Sequence, residues 1–318
     1  MLDMLPRYTL LIVSAVLLFG ACEQPLDITI EREAPNIVIQ SNFSENHVLQ
    51  VVVQKEERFS SNVFTQIVTD ATVKVFNGDQ FLETLEIVYT QNNESVPPYY
   101  QSVFFKPVVG ISYTIQVEVP GYDPIFATSL IPQAANLGDI SFNNQAESLE
   151  GGLESINFEI GISFDDPADV DNYYHIIFIQ EVTNYTINSN GDTILGKTEL
   201  INPEDLFVDP LNGNIAMIKF TDERSFLLKD DAFDGQQISI PFKGSFFFRP
   251  GSQILQPFKV DFRTVTEDYY LYHTSFAKNS RTGGDPFSGP VVIHDNIKGG
   301  SGLFSGYNSN ITSFDITN

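Results

Sequence analysis

The sequence predicts a mainly β protein with two tandem β-sandwich-like domains and a short helix near the C-terminus. Many short runs alternate apolar and polar residues with a period of two, and turn signals rich in Gly, Asn, Asp and Pro separate these runs. The chain also contains 27 Phe and 13 Tyr, and 42% of its residues are hydrophobic. This composition predicts packed cores despite the formal net charge of −24.

The N-terminus carries the features of a secretory signal peptide. Residues 9–19, TLLIVSAVLLF, form an uncharged apolar run that is shorter than the ~20 residues a membrane-spanning helix needs. Gly20 and Ala21 follow, and Cys22, the only cysteine, comes directly after them. This arrangement resembles the lipobox of bacterial lipoproteins, in which the cysteine thiol takes a diacylglycerol and becomes the new N-terminus. We predict a signal peptide over residues 1–21 and lipid attachment at Cys22; the alternative is an ordinary signal peptide followed by a chance cysteine.

A polar tether over residues 22–35 is predicted to lead into a first β domain over residues 36–132. Within this domain, the segment ISYTIQVEV at 111–119 alternates strictly, so one face of a strand is predicted to be buried. An Asn-Gly step at residues 77–78 predicts a hairpin between two β-rich runs. The Gly-x-x-Tyr pattern that begins at Gly110 resembles a strand common in immunoglobulin-like domains, and this resemblance implies an immunoglobulin-like β-sandwich.

Residues 133–318 are predicted to form a second β-rich domain. The segment INFEIGISF at 156–164 alternates, and an Asn-Gly step at residues 190–191 marks another hairpin. One segment departs from strand periodicity. Residues 266–279, TEDYYLYHTSFAKN, place aromatic residues at helical spacing behind a Thr that can cap a helix. We predict a short helix there, packed against a sheet.

The acidic composition narrows the partners. A net charge of −24 repels the phosphates of nucleic acid, so nucleic acid is not an expected ligand. The same charge repels anionic membrane surfaces, which leaves lipidated Cys22 as the predicted membrane attachment. With Cys22 lipidated, no cysteine remains for a disulfide or for thiol catalysis.

Four carboxylates lie within seven residues of the segment DDPADVD: Asp165, Asp166, Asp169 and Asp171. Calcium prefers several oxygen ligands at close spacing, so these residues are a weak calcium candidate. The segment lacks the glycine and the distal glutamate of an EF-hand loop, and Asp-Pro and Asp-Asn steps are also ordinary turn residues. A solvated turn is the more frequent alternative, and no other cofactor is predicted.

The sequence contains no recognisable catalytic motif. The glycine cluster at residues 299–302 does not match a dinucleotide-binding fingerprint, and a close approach of strands or positive φ angles explain it better. No Gly-x-Ser-x-Gly elbow is present. No metal-binding spacing relates the four histidines, which are His47, His175, His273 and His294. We therefore predict that the protein is not an enzyme.

The order of these features resembles one protein family. A lipobox cysteine and an immunoglobulin-like domain are followed by FDDPADVDNYY at 164–174, DAFDG at 231–235 and DYYLY at 268–272. The chain closes with PVVIHDNIKGGSGLF at 290–304. Together these segments look like the Bacteroidota lipoproteins catalogued as domain-of-unknown-function family 4249. The resemblance implies an outer-membrane lipoprotein of a kind often encoded beside TonB-dependent transporters, and it supplies no catalytic residues.

The expected function is that of a lipid-anchored outer-membrane binding or accessory lipoprotein that assists a TonB-dependent transporter in nutrient uptake. Neither the cell surface nor the periplasmic face is favoured. Two alternatives stay open: a carbohydrate-binding or carbohydrate-active surface protein, and a structural envelope protein or adhesin. The absence of tryptophan counts against the carbohydrate alternative, because Trp is the strongest aromatic platform for a sugar, although Tyr can replace it.

Overall fold

The computed structural model describes residues 36–59, 62–90, 96–211, 213–220, 224–282 and 291–316. The signal peptide, Cys22 and the tether predicted over residues 1–35 lie outside the described residues. Within the described ranges, the structure contains no helix with the length and apolar character needed to cross a membrane.

The described chain is mainly β, as the alternating sequence pattern predicts. The strands of its N-terminal part are β1 (Asn36–Phe43), β2 (Gln50–Phe59), β3 (Asn62–Ile67), β4 (Thr72–Asn77), β5 (Gln80–Thr84), β6 (Glu86–Val88), β7 (Tyr99–Gln101), β8 (Ser112–Glu118) and β9 (Ile125–Leu130). Those that follow are β10 (Asn136–Ser148), β11 (Glu154–Asp165), β12 (Tyr173–Ile179), β13 (Glu181–Ile187), β14 (Thr193–Leu200), β15 (Leu206–Pro210), β16 (Met217–Lys219), β17 (Ser225–Lys229), β18 (Gln237–Phe248), β19 (Gln253–Leu255), β20 (Phe258–Val265) and β21 (Ser301–Phe314). The helix α1 (Glu267–Thr282) and short 3-10 turns at Glu150–Gly152, Pro203–Asp205 and Asp230–Ala232 complete the described elements.

Two layers of strands form an N-terminal sandwich. One layer is the sheet β5-β4-β8-β9, and the other consists of β1, β2, β3, β6 and β7. Apolar side chains from both layers are buried between them, among them Ile39, Val53, Val75 and Ile115. Removal of this apolar surface from water is the main favourable contribution to folding, and it holds the layers together.

A second sandwich follows, with a core rich in phenylalanine. The sheet β10-β11-β18-β15 packs against strands β17, β12 and β20. The rings of Phe158 and Phe258 lie 4.8 Å apart between centroids, and those of Phe178 and Phe242 lie 5.0 Å apart. Strands β14, β13 and β19 form a separate three-stranded sheet. The predicted pair of β-sandwich-like domains is therefore confirmed.

Strand β21 joins the two sandwiches. Its residues 301–306 pair in parallel with β1, and its residues 307–314 pair antiparallel with β20. One ten-stranded sheet, in the order β16-β17-β12-β20-β21-β1-β2-β7-β6 with β3 beside β2, consequently contributes a layer to both sandwiches. Ile297 and Phe304, from the segment predicted to belong to the second domain, pack in the N-terminal core. The predicted domain boundary between residues 132 and 133 stays a prediction.

Local sequence signals account for several elements. Every second residue of β8 is buried, as strict alternation predicts, and the hydroxyl of Tyr113 in this strand accepts the N–H of Val108 at 3.2 Å. The predicted hairpin at the Asn-Gly step joins β4 and β5: Asn77 ends β4 and pairs with Gln80, and Gly78 and Asp79 form the two-residue turn. The helix α1 begins directly after Thr266, whose hydroxyl oxygen accepts the N–H of Tyr269 at 3.3 Å and caps the first turn.

The helix α1 covers the face of the ten-stranded sheet that points away from the second core. Tyr269 of the helix is buried with Tyr173, Leu227, Val265 and Leu303, which come from four adjacent strands of that sheet. Leu227 points towards the helix, whereas its neighbours in β17 point into the phenylalanine core. The prediction of a short helix packed against a sheet is confirmed.

Gly302 marks a close approach of β21 to β1. Its φ of 113° lies in a region that L side chains rarely adopt, and a Cβ atom there would lie 2.0 Å from the carbonyl oxygen of Ile39. A Cβ atom at Gly306 would lie 2.2 Å from the carbonyl oxygen of Leu130. Backbone occupies the space beside both positions, so the glycines near the C-terminus allow the two sandwiches to share one strand.

We expect Gly302→Ala to lower the free energy of unfolding by about 2 kcal/mol or more, because the new methyl group must displace backbone at the β1–β21 junction. Urea unfolding of the purified protein measures this loss. Gly251→Ala is the matched control: a Cβ atom there meets nothing within 4 Å, so the expected change is within about 0.5 kcal/mol. Equal unfolding midpoints for the two variants would contradict the role assigned to Gly302.

Candidate functional site

The four carboxylates that the sequence marks as a calcium candidate lie in different environments. Asp165 ends β11 with a half-exposed side chain that accepts a hydrogen bond from β10. Asp169 is exposed in a loop with a φ of 63°. Asp171 has a side chain that is 72% exposed and lies 3.7 Å from the ammonium group of Lys229. Asp166 is the buried member of the four.

Asp166 forms a carboxylate cluster with two residues that sequence reasoning missed. One carboxylate oxygen from each of Asp166, Asp230 and Asp234 lies within 4.8 Å of the others. Asp230 and Asp234 belong to the turn that follows β17, about 65 residues further along the chain. In the sequence, the segment DAFDG at 231–235 is noted only for the family resemblance. No motif of fixed spacing connects it to Asp166.

Backbone N–H groups hold each carboxylate of the cluster in place across the two segments. The donor and acceptor pairs are Gly235 to Asp166 (2.9 Å), Asn172 to Asp230 (2.6 Å) and Asp169 to Asp234 (3.0 Å). The hydroxyl of Tyr174 also donates to Asp166. The carboxylate cluster therefore fastens the loop after β11 to the turn after β17, and its hydrogen bonds to charged acceptors are of the stronger kind.

Burial raises the pKa of the Asp230 carboxyl group above its ordinary value of 3.8; the N–H of Asn172 opposes this rise, and the nearby charge of Asp166 adds to it. Burial, followed by the hydrogen bond to Asp166, also raises the pKa of Tyr174. Three carboxylates at this spacing offer the oxygen ligands that calcium prefers, and a cation would relieve their repulsion. Calcium binding at the predicted residues stays a prediction, and the structure directs its test to Asp166, Asp230 and Asp234.

We expect Asp230→Asn to raise the midpoint of thermal unfolding at pH 7 in chelator-treated protein, because the substitution removes a buried charge that repels Asp166. Because the pKa of Asp230 is higher in the folded protein, its ionised form costs stability above that pKa, and the cost disappears as the pH falls through it. The amide oxygen of Asn still accepts the N–H of Asn172.

The exposed carboxylate of Asp139 supplies the matched control, Asp139→Asn, for which no change is expected. Calcium at about 1 mM would raise the midpoint of the wild type and not that of Asp230→Asn if the cluster binds the ion. A lower midpoint for Asp230→Asn than for the wild type in chelator would contradict the electrostatic account.

His175 of β12 is buried between the helix and the sheet, and His273 of α1 lies beside it with a half-buried side chain whose two ring nitrogens are buried; we name this pair the buried histidines. Nδ1 of His175 lies 2.9 Å from the hydroxyl of Tyr269. Nε2 of His175 and both ring nitrogens of His273 have no hydrogen-bond partner among the described residues. Burial is the main cause that lowers the pKa of both imidazoles, and the guanidinium of Arg263 adds to the effect; the pKa of His273 falls to about 4.

The other two histidines lie elsewhere. Nδ1 of His47 is 3.0 Å from the hydroxyl oxygen of Ser44, and Nε2 of His294 is 2.8 Å from a carboxylate oxygen of Asp268. Within the described ranges, no histidine belongs to a group of three potential metal ligands.

The buried histidines predict a loss of stability in mild acid. Both have a lower pKa in the folded protein than in the unfolded chain, where His titrates near 6.5, so the unfolded chain binds protons more tightly. The contribution of the two neutral imidazoles to the free energy of unfolding is fully present above pH 6.5. It declines as the pH falls towards about 4, the pKa of His273 in the folded protein. For His273 alone, the difference between these two values corresponds to about 3 kcal/mol.

Urea unfolding at several pH values between about 7.5 and 4.5 measures this dependence. His273→Phe keeps an aromatic ring without a titratable group, and we expect it to reduce the loss of stability on acidification. His47→Asn, at an exposed position, is the control and should retain the wild-type dependence. An unchanged pH dependence for His273→Phe would refute the assignment.

The fold and these clusters define a class, that of acidic double β-sandwich proteins whose two sandwiches share one strand, β21. The family model described as domain of unknown function (DUF4249) matches residues 23–312. The chain therefore belongs to this family, which confirms the family resemblance seen in the sequence. Comparison with curated proteins gave no match.

Several solved structures show a limited similarity in fold. The collagen adhesin (CNA) from S. aureus is 8% identical, over 89% of this chain and 93% of its own, with a TM-score of 0.20. The B domain of a biofilm associated protein is 6% identical, over 82% of this chain and 81% of its own, with a TM-score of 0.19. A chain of a chaperone-tip adhesin complex of CFA/I fimbriae biogenesis is 9% identical, over 73% and 81%, with a TM-score of 0.22. Because these TM-scores are low, no argument about function rests on them.

Proposed function

We propose that the protein is a lipid-anchored binding or accessory lipoprotein of the outer membrane that assists a TonB-dependent transporter in nutrient uptake. The observation that carries the proposal is the position of Cys22, directly after the apolar run 9–19 and the small residues Gly20 and Ala21. The association with a transporter rests on the family resemblance.

The sequence around Cys22 suits an anchored module. A diacylglycerol thioether supplies two acyl chains, and two lipid signals are what stable anchoring requires. The predicted tether over residues 22–35 contains 14 residues and reaches at most about 50 Å when fully extended. Such a reach allows the first sandwich to contact a neighbouring membrane protein while the acidic surface stays clear of anionic lipids.

The chemistry of the described residues supports binding rather than catalysis. The pKa values of His175 and His273 are lowered because their ring nitrogens are buried between α1 and the sheet. The carboxylates of Asp166, Asp230 and Asp234 each accept a backbone hydrogen bond that connects two loops. Catalytic acids and bases instead need access to a substrate.

The test expresses the tagged protein in a bacterium of the group from which it comes. Incorporation of a labelled fatty acid reports lipidation. Purification from gently solubilised outer membranes, followed by mass spectrometry, identifies the proteins bound to it. We expect the label on the wild type and its loss in Cys22→Ala, because only the thiol of Cys22 can form the thioether. Ala21→Gly keeps a small residue before the cysteine and serves as the matched control that retains the label.

The two parts of the proposal have separate outcomes. Equal labelling of Cys22→Ala and the wild type would refute the lipid anchor. A TonB-dependent transporter recovered in near-stoichiometric amount would support the accessory role. Recovery of the labelled protein without a transporter would refute that role and favour a binder or structural protein that acts alone.

A further inference from the structure

A cleft of about 530 Å³ opens on the outer face of the sheet β10-β11-β18-β15. Most of its lining side chains alternate along each strand with residues that point into the phenylalanine core. Its volume falls within the range of about 300–1,000 Å³ that is typical of small-molecule sites. Neither the carboxylate cluster nor the buried histidines line it, so it is a separate site.

Two rows of side chains cross the four strands and form this surface, which we name the polar cleft. The strand register aligns one row as Asn143, Glu159, Lys243 and Asp209. It aligns the next row as Gln145, Asn157, Ser245 and Phe207. Neighbouring strands lie about 4.8 Å apart, so each row spans about 15 Å. A surface of this width can contact several units of an extended ligand.

The polar cleft retains much of its hydrogen-bonding capacity. Within the described part of the chain, the side chains of Asn143, Gln145 and Glu159 form no hydrogen bond, and Lys243 forms no ion pair within 4.0 Å although it lies between two acidic neighbours in the register. Asn157 makes one long contact, 3.5 Å from its Nδ2 to a carboxylate oxygen of the nearby Glu147. Donors and acceptors are therefore available to a ligand.

Phe207 supplies an apolar platform at one edge of the polar cleft. Its side chain is 47% exposed, although a phenylalanine on the surface gains nothing from contact with water. The ring of Phe247 meets it edge to face, with centroids 6.1 Å apart and an interplanar angle of 76°. This contact fixes the orientation of the Phe207 ring before any ligand arrives.

We propose that the polar cleft binds a neutral oligosaccharide. A sugar ring presents hydroxyl groups that donate and accept hydrogen bonds, together with an apolar C–H face. The amides of the polar cleft donate and accept, its carboxylates accept, and the ammonium of Lys243 donates. Phe207 packs against the apolar C–H face. It supplies the aromatic platform that tryptophan often provides, because the chain contains no tryptophan.

Other ligand classes fit the polar cleft less well. An added peptide strand pairs with the edge of a sheet, whereas the polar cleft lies on the face of the sheet, and its two central strands, β11 and β18, are paired on both sides. An anionic ligand is disfavoured mainly by the net charge of −24 and by the unpaired carboxylate of Glu159, since the ammonium group of Lys219 lies 3.7 Å from the carboxylate of Asp209. An apolar ligand would bury amides and charged groups without hydrogen-bond partners, which costs free energy.

The inference gives a ligand class to the binding role proposed above and in that sense rests on it. The interaction itself needs only the purified chain, so its test is independent of the lipid anchor and of the transporter. Loss of fatty-acid labelling and loss of sugar binding are therefore distinguishable results.

The test uses the purified full-length protein in a detergent without a sugar headgroup, since such a headgroup would compete for the polar cleft. Hexasaccharides of β-glucan, α-glucan, mannan and xylan are titrated by calorimetry, with oligogalacturonate as an acidic counterpart. We expect at least one neutral hexasaccharide to bind with a dissociation constant below about 1 mM. Phe207→Ala should weaken this binding about five- to tenfold, and Asn157→Ala should weaken it by a similar factor.

Phe81→Ala is the matched control. Phe81 is also an exposed phenylalanine, 52% accessible, and it meets Phe76 edge to face at 5.7 Å, but it lies in the N-terminal sandwich. The Phe81→Ala variant should bind the sugar with the affinity of the wild type. Absence of binding to all four neutral hexasaccharides, binding of the acidic one alone, or equal affinities for Phe207→Ala and Phe81→Ala would each overturn the proposal.

Discussion

The parallel pairing of β1 with the first half of β21 is the interaction on which the rest of the structure depends. It brings together the two ends of the described chain, with Val38 opposite Ser301 and Phe43 opposite Gly306. The second half of β21 then pairs with β20, so one strand belongs to both sandwiches. Closing so long a loop costs conformational entropy, but this cost rises slowly with loop length, and burial of Ile297 and Phe304 in the N-terminal core offsets it.

The second sandwich separates its titratable groups by environment. The carboxylate cluster connects two loops, and the buried histidines lie between the helix and the sheet; burial shifts the pKa values of Asp230, His175 and His273. The polar cleft instead lies on the face of a four-stranded sheet whose two central strands, β11 and β18, are paired on both sides, and its side chains keep free hydrogen-bonding groups. A binding surface on paired strands is rigid in advance, so a ligand loses less free energy to ordering the protein.

The sequence predicts elements whose determinants are local. Alternation identifies β8 and β11, the Asn-Gly steps identify two hairpins, and Thr266 with its helical aromatic spacing identifies α1. The carboxylate cluster could not be predicted, because Asp166 meets Asp230 and Asp234 only after two distant loops fold together. The polar cleft could not be predicted for the same reason, because Asn157 and Ser245 become neighbours only through the register of two strands. Spacing rules describe chemistry within one segment, whereas these sites combine segments.

The shared strand β21 also sets an order of events during synthesis. Residues 36–131 leave the ribosome before the second sandwich, yet their sandwich lacks Ile297, Phe304 and a strand neighbour for β1 until residues 297–306 have been made. Until then β1 presents an open sheet edge and an incomplete core, which are the features that promote association between chains. The sandwich that is translated first is thus the one that cannot complete its folding until the second has been translated. A chain that ended before residue 297 would leave both sandwiches without a strand.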